Sequence, residues 1–487
     1  MFFNSIDYAL FLPIVFVLYW CVTARWLRLQ NGMLLVVSYF FYACWDWRFL
    51  FLLAFSTVLD HWTGLRIHRA EDPRRRKAWL ILSVGVNLGF LGLFKYYDFF
   101  ITSFAGLAES VGLGFHPALL RVVLPVGISF YTFHGLSYVF DIYWNRTEPR
   151  TDPVNYALFV SFFPLLVAGP IERATHLLPQ LERPRRFSAA QAVDGLRQIL
   201  WGLFKKTVIA DNCAERADAI FNNAGEHSGA VLLLGAFFFA VQIYGDFSGY
   251  SDIALGSARL LGIELLRNFA FPYFSRDIAE FWRRWHISLS SWFRDYLYVP
   301  LGGSRAGRWA AVRNTFIIFL VSGLWHGANW TFIAWGAVNA LYFLPLLLRG
   351  HNRRHLDNVA TGRLLPTPRD LWQMGSTFLL TLLAWVFFRA ADLPAAFAYL
   401  RGLFTGILDL STYKAAAGLL LFGLGPAMLA LLAAFFALEW AGRERAFALA
   451  ELGQRWRPWV RWGFYYAVVL CILQFSGPDQ QFIYFQF

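Results

Sequence analysis

Cysteine is scarce in this chain of 487 residues, and the four present, Cys21, Cys44, Cys213 and Cys471, are scattered without a C-x-x-C spacing. That spacing excludes a disulfide framework and argues against a zinc site. Charge is scarce too. Asp, Glu, Lys and Arg make up 15% of the residues, 43 basic against 31 acidic, for a net charge of +12. The sequence holds no G-x-S-x-G elbow of a serine hydrolase and no phosphate-cradling P-loop. No internal repeat of roughly 20–50 residues is visible, so a channel or transporter built on obvious repeats gains no support. No basic residue precedes the first apolar run and no A-x-A-like site follows it, so the start does not read as a cleavable signal peptide.

What the chain has in abundance is apolar surface: 58% of its residues are hydrophobic and 19% aromatic. Apolar runs recur to the end, at Tyr8–Ala24, Trp79–Phe94, Val122–Phe140, Tyr156–Ala168, Val231–Ile243, Asn314–Leu348, Leu371–Phe388, Ala415–Leu438 and Gly463–Phe475. The pattern predicts one all-α, polytopic integral membrane domain over residues 1–487, with about ten to twelve membrane segments. Arg25 and Arg28 follow the first run, so the positive-inside rule places the N-terminus outside and residues 25–31 in the cytoplasm. The basic loop Arg66–Lys77 belongs on the same side, and Met33–Leu65 then forms a hairpin turning near Cys44–Arg48. The arginines lie mostly in connecting segments, so membrane topology and anionic lipid headgroups explain the charge, and nucleic acid is not an expected partner.

One ionisable residue stands out. Asn314–Leu348 carries no acid, lysine or arginine, yet His326 lies near its middle, flanked by Gly323 and Gly327. At about 1.5 Å per helical residue the run is roughly 50 Å long, too much for one crossing of a core of about 30 Å. A break at the glycines puts His326 at a bend, and ionisable groups inside a membrane are functional hypotheses by default. Upstream, Arg276–Pro300 mixes Trp282, Trp285, Trp292 and Tyr296 with Glu280, Arg283, Arg284, His286, Arg294 and Asp295. Too charged to span, it is expected to form interfacial or re-entrant helices, with Trp282, His286 and Ser290 on one helix face. The bland reading of the same residues is an aromatic–arginine belt. No third ligand accompanies the two histidines, and His351 and His355 lie in a basic loop, so no metal site is assigned. A neutral imidazole is the natural general base near neutral pH. Phe247–Asp252, with Asp246, reads either as a serine–glycine turn or as the lining of an aqueous cavity.

The segments FWRRWHISLSSWFRDYLYVPLGG (Phe281–Gly303) and GLWHGANWTFIAWG (Gly323–Gly336) closely resemble the membrane-bound O-acyltransferase (MBOAT) family. The nearest likeness is to its bacterial branch, that of the alginate O-acetyltransferase and teichoic-acid D-alanylation membrane subunits. Leu124–Tyr143, AGPIER (Ala168–Arg173), YGDFSGYSDIALG and NFAFPYFSRDI resemble that branch as well, and the likeness is weakest from about Gly350 to Pro458. The resemblance implies an MBOAT-type ring of tilted helices around a thinned core. It implies His326 as the catalytic histidine and His286 as a second that assists or positions substrate. Trp282, Arg283, Arg284, Arg294 and Asp295 are expected to shape the donor entrance. No permanently bound cofactor is implied; acetyl-CoA is the implied co-substrate, with an acyl carrier protein as the alternative donor.

The chain ends GPDQQFIYFQF (Gly477–Phe487). The arginines of Arg455–Trp462 place that segment in the cytoplasm, so Gly463–Phe475 exits outward and the C-terminus is extracytoplasmic. A tail this apolar is expected to bury its aromatics. It resembles the C-terminal tyrosine motif of the small partner peptide in D-alanylation, which makes Tyr484 a candidate acyl carrier; a packed terminal anchor is the other reading. Together these residues predict an acyltransferase of a bacterial inner membrane that moves acetyl from acetyl-CoA toward an extracytoplasmic polysaccharide. Its implied partner is a periplasmic SGNH/GDSL-type O-acetyltransferase. The alternatives are D-alanyl or other acyl transfer, peptidoglycan or lipid acylation, and a non-catalytic lipid or polysaccharide conduit gated by His326.

Overall fold

A computed structural model of the chain describes residues 1–487 except 167, 168, 306, 479 and 484–487. The described residues form helices joined by loops, with no strand among them. The all-helical expectation therefore holds. Two compact units emerge, one made of Met1–Ala192 with Ser257–Leu266, the other of Val193–Gly256 with Arg267–Phe487.

In the first unit, Leu27–Asp46 and Arg48–Arg69 are two helices interrupted at Trp47, inside the segment Cys44–Arg48 where a turn is expected. The core of this unit contains buried polar groups. Asp60, midway along the second of these helices, accepts from Ser83 Oγ at 2.6 Å and Asn87 Nδ2 at 2.8 Å on the Pro73–Leu91 helix. Gly135 of the Ile128–Tyr143 helix leaves the space that this carboxylate occupies, since a methyl there would overlap it. Apolar helices that bury one carboxylate need such donors, because an unpaired polar group in a dry interior is costly. The run Val122–Phe140 is not one helix: regular structure begins only at Ile128, after Pro125 and the left-handed Gly127 (φ 75°). The Ser257–Leu266 return is stitched in by Tyr8 Oη to Ser257 Oγ at 2.7 Å and Leu266 N to the buried Glu172 carboxylate at 2.6 Å.

The second unit is organised on Gly229–Leu260, a helix of 32 residues that is about 48 Å long at 1.5 Å per residue. Phe247–Asp252 lies inside this helix, so the segment is not a turn. Ser248, Ser251 and Asp252 instead help line a small cavity of about 20 Å³ with Lys205, Tyr244, Arg267 and Asn268, room for a single water. Among the described residues, four helices are long and apolar enough to cross a membrane: Pro73–Ser110, Gly229–Leu260, Trp330–Leu348 and Pro368–Arg389. A fifth span results if Leu410–Leu424 and Pro426–Ala441, bent by 96° at Gly425, are one broken crossing. Length and composition thus do not confirm a count of ten to twelve. Several apolar runs fold as shorter pieces; Tyr156–Ala168, for example, is interrupted at Phe162.

Candidate active site

The long run Asn314–Leu348 folds as a tight helical hairpin. Arg308–His326 ends at Gly327 (φ −165°, ψ 153°), and Trp330–Leu348 begins behind an Asn329 cap whose side chain accepts from Thr331 N at 3.0 Å. Its two helices touch backbone to backbone: a methyl at Gly323 would overlap the Phe332 carbonyl, and one at Gly336 the Phe319 carbonyl. His326 is thus the last residue of its helix, at the bend anticipated from the glycines. It is 3% exposed. Asn329 Nδ2 donates to Ala391 O at 2.8 Å, which ties the turn to the end of the Pro368–Arg389 helix.

His286 does not share a helix face with Trp282 and Ser290. The Ile278–Arg284 helix stops, His286 takes a left-handed backbone conformation (φ 42°, ψ 56°), and a new helix, Ile287–Phe293, starts behind it. A non-glycine residue there costs on the order of 1–3 kcal/mol and persists only where its surroundings impose it. Those surroundings are visible: Ile287 N donates to Asn268 O at 2.9 Å, Ser288 Oγ to Asn268 Oδ1 at 2.6 Å, and Asn268 Nδ2 to Ser251 Oγ at 3.1 Å. The kink turns His286 inward, where it is 1% exposed.

The two histidines meet. Their ring centroids lie 6.4 Å apart inside a wall of aromatic rings. Trp335 at 5.0 Å and Phe388 at 5.3 Å stand edge-on to His326, while Phe247 at 4.7 Å stands edge-on to His286. Trp385 closes the wall by stacking on Trp335 at 5.8 Å. Sequence reasoning missed Trp335, Trp385, Phe388 and Asn268. The three aromatics are of types common in apolar helices and Asn268 lies in a loop, and only the tertiary fold distinguishes them.

The other named residues divide. Trp282 packs edge-on to Trp335 at 5.5 Å, one ring removed from His326. Arg283 donates to Asn352 O and His355 O, both at 2.7 Å. Arg284 donates to the buried Glu280 carboxylate, to Ala270 O and to Asn358 Oδ1. Arg276 reaches the same carboxylate and Asp357, so three arginines and one glutamate bind the segment from Asn352 to Asn358. Arg294 is largely exposed and pairs with the adjacent Asp295 at 2.8 Å.

The tail buries its aromatics as far as it is described. Phe482 and Ile483 are 0% and 1% exposed, and the Phe482 ring packs tilted against Tyr250 at 4.4 Å and edge-on to Phe247 at 5.9 Å. Phe247 therefore stands between the tail and His286. Tyr484 lies outside the described residues.

Residues 128–355, which include both histidines, match the membrane-bound O-acyltransferase family. A protein of Pseudomonas aeruginosa named probable alginate O-acetylase AlgI is 40% identical over 407 residues, covering 83% of this chain and 75% of that one. The peptidoglycan O-acetyltransferase of Helicobacter pylori is 37% identical over 397 residues, covering 76% and 73%. The teichoic acid D-alanyltransferase of Bacillus subtilis is 29% identical over 227 residues, covering 44% and 57%.

Proposed function

This chain belongs to the membrane-bound O-acyltransferase family, a multi-pass membrane acyltransferase, and from that premise we propose that it exports acetyl groups for O-acetylation of an extracytoplasmic polysaccharide. The observation that carries this reading is the meeting of His286 and His326, from separate motifs, beside the docked C-terminal tail. Acetyl is favoured over D-alanyl because the O-acetylating relatives match at 37–40% identity over most of the chain, against 29% over less than half of it.

In the proposed reaction acetyl-CoA enters from the cytoplasm, past an entrance assigned to Arg294 and Asp295 and backed by Trp282, Arg283 and Arg284. His326 takes the phenolic proton of Tyr484, and the phenolate oxygen attacks the thioester carbonyl. The C–S bond then breaks, and the leaving thiolate recovers the proton from the imidazolium. The free phenol ionises near pH 10, so a base is needed to generate the nucleophile near neutrality. His286 orients the reacting groups. The acetyl-tyrosine then passes its acyl group to a nucleophile of a periplasmic SGNH/GDSL-type partner, a transfer eased because phenolate leaves more readily than an alkoxide. This places the chain in a bacterial inner membrane with both termini on the outer side.

Intact mass spectrometry of the purified protein mixed with labelled acetyl-CoA tests the scheme. An acetyl adduct on Tyr484, absent in His326→Ala, supports it. Label released only as acetate removes the relay, and no reaction at all with acetyl-CoA removes the donor.

A further inference from the structure

Three charged residues of the second unit have no part in this chemistry, yet they are among its most deeply buried. The side chains of Lys206, Asp211 and Asp246 are 1%, 3% and 4% exposed. Lys206 sits in a π-helical turn, Phe204–Ala210, that continues the Ala189–Leu203 helix. Such turns are rare and recur at functional positions. The turn lies close against Gly229–Leu260 because Gly249 has no side chain: a methyl there would sit 2.8 Å from Gly202 O and 3.1 Å from Lys206 N.

Adjacent lysines go to different partners. Lys205 meets Ser248 Oγ at 2.9 Å and Asp252 at 2.6 Å, whereas Lys206 meets Asp211 at 2.7 Å and Asp246 at 2.8 Å. An ammonium has three protons. The third of Lys206 goes to the carbonyl of Gln480 at 3.0 Å, and the second oxygen of Asp246 accepts from Ile483 N at 2.7 Å. The two ends of one buried ion pair therefore hold backbone groups three residues apart in the tail. Upstream, Asn212 Nδ2 holds Phe475 O and Gly477 N donates to Thr207 O, both at 2.9 Å.

We infer that Lys206 and Asp246 are positioning residues that set the register of residues 480–483, the stretch that precedes Tyr484 in the chain. The inference rests on the relay reading of Tyr484. Gln480–Phe482 has no helical hydrogen bonding of its own, so contacts to the rest of the protein decide its register. Sliding by one residue moves every following Cα by about 3.8 Å. A base must lie within about 2.6–3.2 Å of the oxygen whose proton it takes, so the relay reading requires a fixed register upstream of Tyr484. The slip also leaves an ammonium proton and a carboxylate oxygen unpaired in a dry interior, which is why the register holds.

The test uses the full chain in detergent and three variants. Ile483→Pro removes the amide proton given to Asp246 while leaving every helix intact; Lys206→Met and Asp246→Asn approach the same contacts from the core. Two quantities are read, release of tail residues by carboxypeptidase and labelling of Tyr484 by acetyl-CoA in intact mass spectra, with the thermal midpoint as a control of folding. Ile483→Pro is expected to keep a cooperative thermal transition at a lowered midpoint, to lose tail residues faster, and to label on the order of 100-fold more slowly, the penalty of a small misplacement at a reacting centre. A tail as resistant as the parent's, or labelling at the parental rate, overturns the inference. Tyr484→Phe is run alongside in cells: envelope O-acetylation that survives it removes the relay reading, whereas its loss beside an unaffected Ile483→Pro removes the register reading alone.

Discussion

The rings of His286 and His326 lie 6.4 Å apart and tilted by 59°, and Trp325 stands edge-on to both, at 5.9 Å from the first and 5.0 Å from the second. One tryptophan thus spaces two imidazoles contributed by different helices, and the proposed mechanism divides base and orienting roles between them.

Replacing the base is expected to be severe. His326→Ala should give a folded, monodisperse protein whose acetyl transfer falls by about 10²–10⁴-fold, the usual worth of a positioned general base. Acetyl-CoA turnover in detergent measures it, and parental turnover would overturn the assignment.

At position 286 the backbone sets the rule. Asparagine tolerates the left-handed conformation that His286 adopts, and β-branched residues do not. His286→Asn is expected to melt within a degree or two of the parent, whereas His286→Val should lose about 1–2 kcal/mol. A thermal scan of both distinguishes this from a purely chemical role.

The hairpin has no room at Gly323. Gly323→Ala should push the two helices apart and destabilise the protein by about 1–3 kcal/mol, the range for overpacking. Transfer should fall with it, because His326 ends the helix that moves. Unchanged melting and turnover would show that the contact is slack.

Glu280 anchors Arg276 and Arg284 from a site 1% exposed. Glu280→Gln removes the negative partner and leaves both guanidinium groups in place. The expected loss is about 3–5 kcal/mol, as when one member of a buried pair is removed. Faster hydrogen exchange across Asn352–Asn358 would locate the damage.

At the tail, Tyr484→Phe should keep slow thioester hydrolysis and abolish polymer O-acetylation. Measured O-acetyl content of the envelope decides it, and persistence of acetylation removes the relay.

The bend at His326 was legible in the sequence because a long apolar run with two glycines around one ionisable residue has few other outcomes. A break near Trp47 was legible too, since basic segments on both sides call for an interruption between them. The geometry of His286 was not. A four-residue spacing suggests one helix face, and the break that overrides it is imposed by Asn268, a tertiary contact that leaves no periodic signal. Lys206 did carry a signal: the pair Lys205–Lys206 interrupts an otherwise apolar stretch from Ile199 to Ala210, and a charge there demands a partner. Which partner it takes depends on a tail that begins beyond residue 475, a distance over which local pattern says nothing.

Burial differs sharply between the two longest apolar helices. In Pro73–Ser110, 17% of the most apolar window is covered by protein, and in Gly229–Leu260, 89%. The first is solvated by acyl chains and must stay greasy around most of its circumference. The second scarcely meets lipid, so selection on it concerns volume and fit more than polarity, which is how it accommodates Asp246, Ser248, Ser251 and Asp252. A saturating mutational scan should therefore sort the two helices oppositely. Apart from its basic start and the Asp60 donors Ser83 and Asn87, Pro73–Ser110 should accept bulky apolar residues and reject charge, while Gly229–Leu260 should reject added methylenes as firmly as added charge.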